Sequence, residues 1–359
     1  MKCLTWGLIV QIQIRGHRGC FEEERTGLLE IKEFVRSNGN DVDHLLHSWA
    51  NDPKSECYDW EQVICDSNTG HVVELFLHNV KELSYVYSPR FKYYFLRNDR
   101  DNYMHYLETN HSMWFLNVSL FEAFNELKSL NLSMNEFEGW IGNEGSESLC
   151  RLKRLEILDL GYNEFNRSII QSLSLVTSLK NLILHRNQLK GSFLMKELSI
   201  LEDLEMLDLS YNLLNGSLTM QDFESFDSLE ILDLSWNGFT RNLPHSIRAL
   251  SSLKSLSLSS NYLNGSSPTQ GKYFIKILCK DNHFKGNISS LIVGLTSLKH
   301  TDLSYNLFEG LFSFDTFANH SKLELVQIIC DSKTLDIETE IQHGYLCFSR
   351  SSLCYIIVL

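Results

Sequence analysis

The chain has 359 residues, 43% of them hydrophobic, and a formal charge of −13, enough for two or three compact domains or for one elongated array. An acidic balance of this size argues against a partner held through nucleic-acid phosphates. None of the nine cysteines forms a C-x-x-C pair, so the spacing offers no zinc site.

Residues 1–19 place Lys2 ahead of an apolar run from Cys3 to Ile14, interrupted by Gln11 and Gln13. That run is too short to span a bilayer and reads as a signal peptide. Residues 20–78 form the next unit. After Glu22, Glu23 and Glu24, the residues Leu28, Leu29, Ile31, Lys32 and Val35 recur at roughly helical spacing, which predicts a helix with acids at its start. LHSWA at 46–50, CYDWEQVIC at 57–65 and TGHVVELFL at 69–77 follow. Residues 79–126 are irregular and aromatic, with Tyr85, Tyr87, Tyr93, Tyr94, Tyr103 and Tyr106 among Lys92, Arg97 and Arg100. In an acidic chain this mixture reads as an extended first repeat with a surface loop rather than a base-stacking surface.

From 127 to 335 the pattern L-x-x-L-x-L-x-x-N-x-(L/F)-x-G returns, aligned on Asn135, Asn163, Asn187, Asn212, Asn237, Asn261, Asn282 and Asn306, with Asp331 in that place in a ninth, degraded copy. The copies lie 21 to 28 residues apart, the period of leucine-rich repeats. Around Leu204, Leu207 and Leu209 the leucines alternate with polar residues, so one strand face is apolar and the other polar. A single short strand cannot bury its leucines, whereas stacked copies share one core. A buried Asn at each turn can serve the stranded backbone groups of its neighbours. Gly139, Gly191, Gly216, Gly265, Gly286 and Gly310 end the pattern, while Arg167 and Arg241 replace the glycine and predict two less regular turns. Cys279 takes a core leucine place, and Cys150 reads as similar filler. The expected fold is an α/β solenoid, a leucine-rich repeat horseshoe or superhelix, with a parallel β-ladder on the concave face and a helical cap at the amino end.

Eight Asn-x-Ser/Thr triplets, at Asn110, Asn117, Asn131, Asn166, Asn215, Asn264, Asn287 and Asn319, support secretion and N-glycosylation. Asn166, Asn215 and Asn264 share one repeat phase, so glycans there would line one flank; Asn131 falls on the polar strand face. Residues 336–359 lose the repeat. The apolar run from Cys354 to Leu359 is far too short for a membrane helix, and the last strand of the array is expected to be left open and prone to self-association.

No hydrolase elbow, Walker loop, zinc-protease motif or kinase motif set occurs, so a non-enzymatic module without cofactor or metal is expected. His185-Arg186-Asn187 resembles a fragment of a kinase triplet, but its Asn belongs to the repeat. Asp159, Asp208, Asp233 and Asp302 recur at one strand position and read as the soluble face of an L-D-L-S consensus. Just beyond them stand Tyr162, His185, Arg186, Tyr211, Trp236 and Tyr305, the candidate ligand-binding residues. Aromatic side chains among small polar residues suit peptide or protein recognition; the alternative is that they pack along the edge of the ladder.

The cap residues quoted above, in the order C-x-E-E-R-x-x-L-L-x-x-K, S-W, C-x-x-W-x-x-V-x-C and T-G-H-V-x-x-L-x-L, resemble those of plant extracellular leucine-rich repeat proteins. With the repeats, the resemblance covers about 20–335 and points to the receptor-like proteins, which have a leucine-rich ectodomain and a membrane anchor but no kinase. It implies a disulfide from Cys20 to Cys57, and leaves Cys65 without its usual partner because Tyr58 stands where the family carries a second cysteine. It further implies an extracellular or cell-surface location, with the plasma membrane as the family's site. The ligand would be a peptide, protein or oligosaccharide, and signalling in defence or development would run through partner kinases. Members continue through further repeats, an acidic stretch and a membrane span, so the chain resembles their amino-terminal part, a truncated receptor fragment. Two alternatives stand beside it: a secreted inhibitor of cell-wall-degrading hydrolases built on the same cap and repeats, and a truncated receptor fragment without function.

Overall fold

A computed structural model of the chain describes residues 20–52, 54–81, 114–141, 148–193, 195–219, 223, 226–244, 250–266, 274–313, 316, 320–330, 335–337, 346–350 and 353–358. The proposed signal segment, most of the aromatic loop, Asn110, Asn319 and Asp331 lie outside these residues.

Short strands stack into one sheet. β1 (Val63–Cys65) runs antiparallel to β2 (Val72–Phe76). The sheet then continues in parallel through β3 (Ser129–Asn131), β4 (Ile157–Asp159), β5 (Asn181–Ile183), β6 (Met206–Asp208), β7 (Ile231–Asp233), β8 (Ser255–Ser257), β9 (Lys276–Leu278), β10 (His300–Asp302) and β11 (Leu325–Cys330). The period-two pattern sets the register: Leu158, Leu182, Leu207, Leu232 and Leu256 pair in sequence across β4 to β8. All five are at most 1% exposed. Burying a leucine contributes about 1.5–3 kcal/mol, and each does so only because a neighbouring repeat covers it. Cys279 is 0% exposed, as its leucine place predicts.

The turns are joined by asparagines. Asn212 Nδ2 donates to the Leu184 carbonyl of the preceding repeat at 2.9 Å and to Leu209 and Ser210 of its own at 3.1 Å. Its Oδ1 accepts from the Leu189 amide at 3.1 Å. Asn163, Asn187, Asn237 and Asn261 repeat this arrangement. Buried polar atoms are thus satisfied on both sides of every junction.

Past the turns, a second parallel sheet of six strands forms one flank: Lys190–Gly191, Leu213–Ser217, Gly238–Asn242, Tyr262–Gly265, His283–Gly286 and Leu307–Phe308. Exposed Asn215 and Asn264 lie in its strands. The Arg241 turn is more regular than the sequence suggests. Its φ of +66° matches the left-handed conformation of Gly216 at +85° and Gly265 at +76°.

At the amino end α1 (Glu22–Ser37) buries Leu28, Ile31 and Val35 on one face, with Leu29 half-buried. Lys32 is buried too, because Nζ donates to the carbonyls of Leu46 and Trp49 at 2.9 and 2.8 Å. Glu24 reaches β2, accepting from the Val72 amide at 3.2 Å. A disulfide joins Cys20 to Cys57. Cys65 remains a thiol, half-buried, and burial together with the Glu24 charge pushes its pKa to about 11.

The other end corrects an expectation. The last repeat strand is not left open. β12 (Leu346–Arg350) and β13 (Leu353–Val358) form an antiparallel pair, and β13 covers the free edge of β11. A continuous apolar run next to an unpaired edge, Leu353 to Val358, provides a strand partner without any repeat consensus. Among the described residues no helix is long and apolar enough to cross a membrane.

Candidate recognition surface

Each repeat leaves its strand through one left-handed residue just before the Asn. Tyr162, Arg186, Tyr211, Trp236 and Tyr305 have φ between +52° and +55°. This conformation turns the amide toward the next repeat: Tyr211 N donates to the Ser235 carbonyl and Trp236 N to that of Ser259, at 2.9 and 2.8 Å. With the backbone bound inward, the side chains are set along one rim of the ladder, half-buried for Tyr162, Arg186, Tyr211 and Trp236.

Neighbouring strands lie ~4.8 Å apart, the separation at which planar groups stack. The Arg186 guanidinium lies 4.9 Å from the Tyr162 ring centroid and 4.2 Å from that of Tyr211. Tyr211 and Trp236 stack at 4.9 Å with an interplanar angle of 10°. The result is a continuous file, Tyr162–Arg186–Tyr211–Trp236, in which a cation sits between two rings. His185 meets the Tyr162 ring edge-on at 4.8 Å and 87°.

Gly161 makes room for that histidine. A Cβ there would lie 2.7 Å from His185 Cε1 and 2.9 Å from Nε2. On its other side His185 Nδ1 is 3.5 Å from Asp208 Oδ2, close enough for charge attraction and at the outer limit of a hydrogen bond.

The aspartates have a backbone role. Asp159, Asp208, Asp233 and Asp302 each accept, through Oδ1, the amide two residues on, at 2.8–2.9 Å. Burial pushes the Asp159 carboxyl above the ordinary range, against the Gly161 hydrogen bond and the His185 charge. Burial, with the Asp208 charge adding to it, raises Asp233 as well. Burial also acts on Asp208, but the His185 and Ser210 hydrogen bonds outweigh it and hold that group below the usual range.

Of the six candidate residues, the structure brings Tyr162, His185, Arg186, Tyr211 and Trp236 together and leaves Tyr305 apart. Ser260 and Asp281 occupy the two rim places between Trp236 and Tyr305. Tyr305 instead carries Lys280, whose Nζ is 5.5 Å from the ring centroid. Gly161 and Lys280 lie on the same strand face in the sequence without standing among the six candidates. The signal for Gly161 was present: in a column of Ser133, His185, Ser210, Ser235, Ser259, Lys280 and Ser304 it is the one position without a side chain. Four of the glycosylation candidates accept the amide of their own triplet serine through Oδ1: Asn117, Asn131 and Asn287 at 3.2, 2.9 and 2.7 Å, and Asn166, with Ser168, at 2.9 Å.

A sequence profile described as "Leucine Rich Repeat" matches residues 228–250 and 252–272. Receptor-like protein 9a of Arabidopsis thaliana is 38% identical over 194 residues, 54% of this chain and 17% of its own length. Receptor-like protein 14 of the same plant is 38% identical over 202 residues, 54% of this chain and 18% of its own. The chain therefore spans less than a fifth of the length of these relatives. Among solved structures, a plant ice-binding protein superposes with a TM-score of 0.63 at 20% identity, over 90% of both chains. The ectodomain of the Arabidopsis receptor kinase HAESA, solved with an IDA peptide hormone ligand, gives 0.59 at 24% identity over 87% of this chain and 50% of that one. These superpositions show the solenoid fold. The chain carries leucine-rich repeats in a solenoid fold and is similar in sequence to plant receptor-like proteins.

Proposed function

We propose that the chain is the ligand-recognition part of an extracellular receptor-like protein. It takes a peptide across the concave face and anchors it on the Tyr162–Arg186–Tyr211–Trp236 file. The single observation that carries this reading is the file itself, whose groups already hold one another in place. Side chains immobilised before binding lose little entropy on contact, which favours affinity. Asp208 and Asp233 flank the file and spend one carboxylate oxygen on the backbone. A ligand with a cationic residue beside an apolar one fits that surface best. Location at the plasma membrane, glycans on Asn166, Asn215 and Asn264, and signalling in defence or development through a partner kinase belong to the same proposal.

The test is selection from a displayed random peptide library with the secreted full chain. Peptides should be enriched on the wild type and lose at least on the order of tenfold affinity on Tyr211→Ala/Trp236→Ala. Tyr58→Ala, at an exposed ring of the cap, should leave binding unchanged. Enriched peptides that bind the double variant as well as the wild type would remove the anchor from the file. No enrichment at all would count against peptide recognition.

A further inference from the structure

The terminal strands place two cysteines where the sequence shows no pairing. In the antiparallel register of β11 and β13, Val326 is opposite Val358, Ile328 opposite Ile356, and Cys330 opposite Cys354. Cys330 follows Val326 and Ile328 at every second position of β11, so the three share one face of the strand. Directly opposed residues on neighbouring strands share a face, so Cys354 belongs there too.

Distance then selects the pair. Opposed residues in an antiparallel ladder have Cα atoms ~4.5–5.5 Å apart, inside the ~4.4–6.8 Å range that a disulfide spans. Cys347 is opposite Ile356, one diagonal step from Cys354, at about 7–8 Å. Cys279 lies near the end of β9, two strands from β11, about 10 Å away at the ordinary strand spacing. Among the described residues Cys354 is therefore the one cysteine within bonding reach of Cys330.

We propose that Cys330 and Cys354 form a disulfide that clips the terminal hairpin to the last repeat. The bond forms by exchange with an external disulfide, such as an oxidised dithiol protein or oxidised glutathione. One cysteine thiolate attacks that disulfide and releases one reduced thiol. The second cysteine then displaces the other, so two protein thiols become one disulfide while the external disulfide is reduced to two thiols. An oxidising compartment is required, as it is for the Cys20–Cys57 bond of the cap. The proposal needs no ligand and stands apart from the recognition reading.

Trypsin separates the three terminal cysteines, cutting after Lys322, Lys333 and Arg350. The full chain, secreted from eukaryotic cells, is alkylated without reduction and digested. Peptide 323–333 should be recovered linked to 351–359, the link should vanish on reduction, and peptide 334–350 should carry alkylated Cys347. Alkylation of both Cys330 and Cys354, or a link from either to Cys347 or to another chain, overturns the proposal. Cys347→Ser should keep the link, and its loss there argues against the pair. Cys354→Ser should leave Cys330 alkylated and raise amide exchange across 346–358 on the order of tenfold; unchanged exchange shows that the bond does not hold the hairpin. The wild-type map decides the pairing even where a variant fails to fold.

Discussion

Two columns of residues stand side by side in every turn of the array, and they are built on opposite terms. The asparagines, at 0–5% exposure, serve donors and acceptors in two repeats at once. The residue just before each Asn turns only its backbone inward and leaves its side chain on the rim. The first column repeats because each junction makes the same demand. The second varies through Met134, Tyr162, Arg186, Tyr211, Trp236, Ser260, Asp281 and Tyr305 because the backbone asks nothing of the side chain beyond a left-handed φ. A solenoid thus separates what holds it together from what it can present, one residue apart.

Adjacent substitutions test that separation most directly. Asn212→Ala removes a buried hub and strands carbonyls and an amide in two repeats. It should cost about 3 kcal/mol or more in chemical denaturation. Tyr211→Ala, its neighbour, should cost only about 1 kcal/mol, the worth of a stacked pair. Equal costs would end the distinction between the columns.

A smaller effect is expected at Gly161. A Cβ there drives His185 off Asp208 and Tyr162, and overpacking of this kind costs about 1–3 kcal/mol. Adding His185→Ala should recover much of the loss, since the two side chains then no longer collide. Strict additivity in the double-mutant cycle would show that the histidine is not what Gly161 accommodates.

The smallest effect is electrostatic. Asp233 has a carboxyl raised by burial and by Asp208. A group whose folded pKa lies above its unfolded value favours the native state below the unfolded pKa, and that contribution is lost as pH rises through the folded one. Asp233→Asn keeps an oxygen for the Ser235 amide and drops the charge. Its Tm relative to wild type should be higher at pH 7 than at about pH 3, where the wild-type carboxyl is protonated. A pH-independent difference would show that the Asp233 charge contributes nothing to that stability.

Periodic demands were legible without coordinates. The strand alternation at Leu207 and Leu209, the Asn hubs and the helix of the cap follow from patterns that neighbouring repeats must satisfy together. The candidate site was legible only as a set of residues. Its order could not be read, because the insertion of Arg186 between two rings and the space left by Gly161 depend on side-chain placement across repeats. The closing hairpin was missed for a related reason. β12 and β13 carry no repeat consensus, and their pairing with β11 is a long-range contact that no local pattern announces.

The left-handed φ of the rim also limits what evolution can write there. A side chain branched at Cβ collides with its own backbone in that conformation, and the rim holds no Val, Ile or Thr from Met134 to Tyr305. Specificity on this surface must therefore be spelled in a reduced alphabet of unbranched, aromatic and small polar side chains, whatever molecule it is asked to read.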